Sequence, residues 1–136
     1  MKPARLLVNL DVGDLEAAER FYTEAFGLKV GRRFDGAVEL LGADAPLYLL
    51  AKAAGTPAAP SPAEARDYRR HWTPVHLDFV VEDLEAALAR ARQAGAVLEK
   101  DIVSHNWGRI ALFADPFGNG FCLLEFSARG YDAIAL

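Results

Sequence analysis

One pattern occurs twice in this chain, each time just after an apolar, strand-like run. From Leu6 the sequence reads LLVNLDVGDLEAAERFYTEAFGLKV, and from Val75 it reads VHLDFVVEDLEAALARARQAGAVL. Asp14 and Asp83, which open the two DLEAA copies, lie 69 residues apart in a chain of 136. A duplication at half the chain length restricts the fold to two similar modules. It also allows each position of one module to be compared with its counterpart in the other.

Each copy has the same local grammar. Leu6, Val8, Leu10 and Val12 alternate with Leu7, Asn9 and Asp11, the period-two signature of a half-buried strand over Leu6 to Val12. Asp14 suits a helix N-cap, because its carboxylate can accept from the free amides of the first turn. Leu15, Ala18, Tyr22 and Ala25 then recur at helical spacing, and Gly27 supplies the stop. Strands are expected at Ala37 to Leu41 and Leu47 to Ala51, with an additional one around Leu28 to Arg33. In the second copy Leu77, Phe79 and Val81 oppose His76, Asp78 and Val80. Asp83 caps a helix carrying Leu84, Ala87, Leu88, Ala91 and Ala94, which ends at Gly95. Strands follow near Val97 to Glu99, Arg109 to Ala114 and Phe121 to Phe126, the last two joined by the ADPFGNG turn. Residues 53–74 hold four prolines and many alanines and read as a linker with a basic, aromatic end, RDYRRHW. The expected organisation is one domain: module one 1–52, linker 53–74, module two 75–127 and tail 128–136.

A helix covers one face of its sheet with its apolar stripe. The apolar side of each first strand therefore meets its helix, and the other side faces something else. If the modules pack together, those second faces line a shared cleft, which makes Asn9, Asp11, His76 and Asp78 cleft candidates from alternation alone.

The length suffices for one compact core, and 52% apolar with 25% charged residues is ordinary globular material. A net charge of −4 with scattered Lys and Arg argues against a nucleic-acid partner. Cys122 is the sole cysteine, so no intrachain disulfide forms and nothing points to an oxidising compartment. MKPARLLVNLDV lacks the apolar stretch of a signal peptide, and no later run approaches membrane-spanning length. A cytoplasmic protein with no membrane partner is expected.

The repeated strand–DLEAA–helix, the FYTEAFGLKV segment and WGRIALFADPFGNGFCLLEF together resemble the vicinal oxygen chelate superfamily, which includes glyoxalase I, extradiol dioxygenases, and fosfomycin- and bleomycin-resistance proteins. The resemblance spans both modules. It implies an α+β fold of two βαβββ modules forming a cupped mixed sheet around a central cleft, and a homodimer. It also implies up to four metal ligands, one on the first and one on the last strand of each module, holding a divalent ion that acts on two neighbouring substrate oxygens as a Lewis acid.

Carried over position by position, the first-strand ligand lies seven residues before the Asp of the DL motif. The last-strand ligand lies three residues after the Asn of the GN turn. The quartet is then Leu7, Tyr48, His76 and Cys122. Leu7 cannot bind a metal, Tyr48 is a weak ligand, and metal-binding relatives more often have Glu where Cys122 stands. Fe, Ni, Zn or Mn sites need a fuller set of imidazole, carboxylate or thiolate groups, so the favoured expectation has no cofactor. A metal, if held, rests on His76 and Cys122. Glu125 falls on the opposite face by alternation, and His71 and His105 fall in the linker and a loop.

Without a metal, the expected cleft is an apolar pocket with a few directional polar groups. Its ligand-binding candidates are Asn9, Asp11, Tyr48, His76, Asp78, Trp107, Arg109 and Cys122. Trp107 and Tyr48 offer stacking faces, and Arg109 offers a guanidinium for an anionic group. The sequence assigns no catalytic residue. A Cys122–His76 nucleophile pair lacks a recognisable oxyanion hole or orienting third group, and His76 with Asp78 forms an acid–base pair at best. The favoured function is small-molecule binding of the glyoxalase/bleomycin-resistance type with a degenerate metal site. The alternative is a metal-dependent lyase or dioxygenase anchored by His76.

Overall fold

The computed structural model describes residues 1–61 and 64–136; residues 62 and 63 of the expected linker lie outside the described residues. The chain forms two compact units, Met1–Tyr68 and Arg69–Leu136. Each is α+β, built as strand, helix and three strands, so the βαβββ repeat read from the sequence is present in both.

The first unit contains β1 (Val8–Val12), α1 (Leu15–Phe26), β2 (Lys29–Phe34), β3 (Ala37–Leu41) and β4 (Leu47–Ala51). Its sheet has the order β1-β4-β3-β2, with β1 parallel to β4 and the other pairs antiparallel. Asp14 caps α1 through a 3.0 Å bond from the Ala17 amide, and Gly27 ends it in the left-handed conformation at φ 67°. The helix buries Ala18, Phe21, Tyr22 and Ala25. Val12, Val38, Leu40, Leu47 and Leu49 supply the buried side chains of the sheet. The first strand begins two residues later than its alternation suggested. Pairing starts at Val8 with Leu47, and Leu6 and Leu7 are exposed.

The expected linker is more ordered than its proline content suggested. Pro57 bridges Ala65 in antiparallel fashion, and backbone bonds join Ala58 to Glu64 and Gly55 to Arg66. The Arg66 guanidinium pins this loop to β1, donating to Asp11 at 2.8 Å, to Thr56 Oγ1 at 3.2 Å and to the Pro57 carbonyl at 2.5 Å.

The second unit contains β5 (Leu77–Val80), α2 (Leu84–Ala94), β6 (Val97–His105), β7 (Gly108–Ala114) and β8 (Gly120–Phe126), followed by a 3-10 turn at Gly130–Ala133. The order β5-β8-β7-β6 reproduces that of the first sheet. Asp83 caps α2 and Gly95 ends it. Strand β6 is three times the length expected from Val97 to Glu99, and it takes in His105, which the sequence placed in a loop. Its polar residues Glu99, Lys100 and Asp101 masked the strand, and register shifts between Leu98 and Val103 break its alternation. The ADPFGNG turn is held by Asp115, only 4% exposed, which accepts from the amides of Phe117 and Asn119 and from the Asn119 side chain, all at 2.8–2.9 Å.

Candidate functional site

Strands β5 and β8 run parallel with Asp78 opposite Cys122. Strand alternation puts these two side chains on the face away from α2, and His76, just before β5, joins them. His76 Nε2 lies 3.2 Å from Asp78 Oδ1, and ligand atoms of His76, Asp78 and Cys122 all fall within 4.8 Å of one another. The Cys122 thiol lies within 4.8 Å of the Asp78 carboxylate. Burial, reinforced by the Asp78 charge, pushes the thiol pKa up to about 12. A thiol held protonated is a poor nucleophile, so this geometry does not supply the thiolate that a Cys122–His76 pair would need.

A pocket of about 220 Å³ opens beside this trio. Arg70, Trp72, His76, Glu99, Leu112 and Cys122 line it, with Gly120 beneath Arg70. The Arg70 guanidinium forms a two-point ion pair with Glu99, at 2.9 and 3.0 Å, and also donates to the His71 carbonyl. Gly120 makes this possible: a Cβ there would meet Arg70 Nη2 at 2.6 Å. Arg70, Glu99 and Gly120 were not singled out by the sequence reading. The signal available was the basic run RDYRRHW placed directly before His76.

Within the second unit, Arg109 and Trp107 are engaged by other partners. Arg109 sits opposite Glu125 on β7 and β8, on the face that packs under α2. It is bound by Glu125 at 2.9 Å and by Glu85 of the first helical turn, so it does not join His76 and is not free for an anionic ligand. Glu125 also accepts from the Leu84 amide at 2.8 Å, which fixes it on the helix side as alternation required. Asp83, Glu85 and Glu125 form a second group of clustered carboxylates, but Arg109 already supplies its cation. Trp107 stacks on His105 with ring centroids 5.3 Å apart and packs against Phe126 and Tyr131. In the first unit Asn9 is exposed opposite Tyr48, and Asp11 is engaged by Arg66.

Tyr48 belongs to a network centred on Glu39 of β3. The Glu39 carboxylate, 5% exposed, accepts from Tyr48 Oη at 2.6 Å, from Arg32 Nη2 at 2.6 Å and from the Arg32 amide at 3.0 Å. Gly31 leaves the room, since a Cβ there would stand 2.5 Å from Glu39 Oε1. Arg32, and then Tyr48, hold the Glu39 carboxyl down to about 2, and Arg109 does the same for Glu85. A carboxylate whose folded pKa lies below its unfolded value contributes stability that is complete above the unfolded value of 4.5. That contribution disappears as pH falls from there toward about 2. The melting temperature should therefore decline between about pH 5 and pH 2.5, and Glu39→Gln should remove part of that decline. Parallel thermal melts of both proteins across the range check this.

The trio is a mixed donor set of imidazole, carboxylate and thiol. It suits a soft or borderline ion better than the hard, oxygen-preferring Mn²⁺. A thiolate ligand would first have to release a proton held well above neutrality.

A βαβββ unit used twice, with clustered ligand-type side chains where first and last strands meet, is the architecture of the vicinal oxygen chelate superfamily. The chain belongs to the glyoxalase-like domain family, whose model matches residues 7–124. No curated protein matches it in sequence. Among solved structures, it is similar to a glyoxalase/bleomycin resistance protein/dioxygenase family enzyme from Burkholderia phytofirmans PsJN, at 19% identity and TM-score 0.72 over 91% of this chain and all of the other. It is also similar to a mutant of the fosfomycin resistance protein FosX from Listeria monocytogenes, in complex with Mn(II) and 1S,2S-dihydroxypropylphosphonic acid. That match has 16% identity and TM-score 0.72, over 95% of this chain and 94% of the other. TioX from Micromonospora sp. ML1 matches at 18% identity and TM-score 0.70, over 92% of this chain and all of TioX. At these identities the likeness establishes the fold.

No helix among the described residues is long and apolar enough to cross a membrane.

Proposed function

We propose that the protein is a metal-independent small-molecule-binding domain of the glyoxalase/bleomycin-resistance type, with its ligand seated in the pocket of the second unit. The observation that carries this reading is the pocket beside His76, whose wall cation is already paired with Glu99 and whose thiol stays protonated. Such a site offers shape and directional polar groups rather than a charged reaction centre. His76 and Cys122 are the polar contacts of this proposal, with Asp78 set against His76. A cytoplasmic location, supported by the free, buried Cys122, and a homodimer, supported by the family resemblance, belong to the same proposal; light scattering reports the oligomeric state.

The convergence of His76, Asp78 and Cys122 favours a second reading, a metal-dependent lyase or dioxygenase anchored by His76. A bound divalent ion would supply Lewis-acid polarisation of substrate oxygens, and the three side chains would hold it. Metal analysis of protein purified without chelators separates the readings. The metal-independent one expects less than about 0.1 equivalent of Fe, Ni, Zn or Mn per chain, and the same low level in His76→Ala. A stoichiometric ion lost on that substitution would replace it with the second reading. A thermal-shift screen then finds ligands: saturation at about 100 times Kd stabilises by roughly 2.7 kcal/mol, and a hit should lose most of its shift in His76→Ala.

A further inference from the structure

We propose that the pocket of the second unit takes a planar aromatic of one or two fused rings carrying an N–H or O–H donor, which stacks on Trp72 and donates to His76. The inference rests on the metal-independent reading above and names the ligand chemistry of that same site. Trp72 stands at the pocket wall with 82% of its surface exposed, the largest apolar group there left in water. The Thr73 hydroxyl donates to the Val75 carbonyl at 2.7 Å, which ties down the segment bearing the indole. Leu112 supplies an apolar surface across the pocket. A flat ring laid on Trp72 removes both its own surface and the indole from water. A volume of about 220 Å³ is below that of drug-sized sites, which restricts the ligand to a small ring system.

The polar preference follows from the trio. Asp78 Oδ1 faces His76 Nε2 at 3.2 Å, and a carboxylate so placed favours the tautomer with its proton on Nε2. Nδ1 then carries the lone pair. Asp78, set against His76 Nε2 with Cys122 Sγ within 4.8 Å, is the positioning residue. His76 is 55% exposed at its side chain and presents an acceptor. Arg70 offers an anion little, because Glu99 and the His71 carbonyl already occupy it. The carboxylates of Glu99 and Asp78 also repel negative charge.

Calorimetric titration of the chelator-treated protein with indole, 1-methylindole and indole-3-carboxylate tests this. Indole should bind about five- to tenfold more tightly than 1-methylindole, the worth of one hydrogen bond, and indole-3-carboxylate should be weakest. Trp72→Ala, at an exposed position, should weaken indole and 1-methylindole alike. His76→Ala should make those two equal, and Asp78→Asn should shrink the preference by releasing the tautomer. Equal affinities in the unaltered protein, the carboxylate binding best, or an unaffected Trp72→Ala would overturn the inference. If none of the three binds while another chemical class gives a His76-dependent thermal shift, this inference fails and the metal-independent reading stands. A stoichiometric metal removes that reading itself.

Discussion

Gly108→Ala is expected to cost the second unit about 4 kcal/mol or more, and to lower its melting temperature by roughly 10–15 °C or prevent its folding. Gly108 opens β7 at φ 148°, a conformation that side-chain-bearing residues rarely adopt. A Cβ there would fall onto the carbonyl oxygen of Glu125 and within 2.9 Å of Phe126 Cα. Both obstacles are backbone of the paired strand β8, where Gly108 faces Phe126. Neither can turn aside as a side chain can. Relief requires parting β7 from β8, and that strand pair also carries Leu112 opposite Cys122 and the fully buried Ala111 opposite Leu123. Thermal melts followed by near-ultraviolet circular dichroism report the result directly. A variant that melts within a few degrees of the parent would show that the β7–β8 ladder yields more easily than its geometry implies.

The fold is most legible in the sequence where one local signal has one physical consequence. Asp14, Asp83, Gly27 and Gly95 bound both helices because capping is decided within a single turn. Alternation placed Asp78 and Cys122 on one face and Glu125 on the other because strand period is set by backbone geometry. Side-chain partners from distant segments are not legible in the sequence. Arg109 looked like an open guanidinium because Glu85 and Glu125 lie 24 and 16 residues away. The pairing of Arg70 with Glu99 spans 29 residues, and that of Asp11 with Arg66 spans 55. Such pairs leave no trace in spacing, since the approach of the segments depends on sheet order and loop path. Strand β6 was foreshortened for a different reason: its register shifts break the alternation by which a strand is recognised. Glycine was the neglected clue. Gly31 and Gly120 each mark a point where a distant charged side chain lies against the backbone, Glu39 in one unit and Arg70 in the other.

The second glycine yields a prediction of the opposite kind from Gly108. Gly120→Val should leave the fold standing, with the melting temperature within about 5 °C of the parent, yet weaken indole binding by at least about tenfold. Gly120 sits at the start of β8 outside the left-handed region, so a β-branched residue suits its backbone. The obstruction is the Arg70 guanidinium, with Nη2 at 2.6 Å and Cζ at 3.0 Å from the new Cβ. This is the far end of a flexible side chain, 41% exposed, that can swing into solvent. Its departure breaks the pair with Glu99 and leaves that carboxylate uncompensated at the pocket wall, while the valine occupies space next to His76 and Cys122. The exposed ion pair itself contributes little to stability, so the loss falls on the pocket rather than on the fold. Arg70→Ala separates the two effects: it breaks the same pair without filling the pocket and should weaken binding less than Gly120→Val. Unchanged indole affinity in Gly120→Val would mean that the ligand does not enter between Arg70, Trp72 and His76, and the assignment of this pocket as the binding site would have to be abandoned.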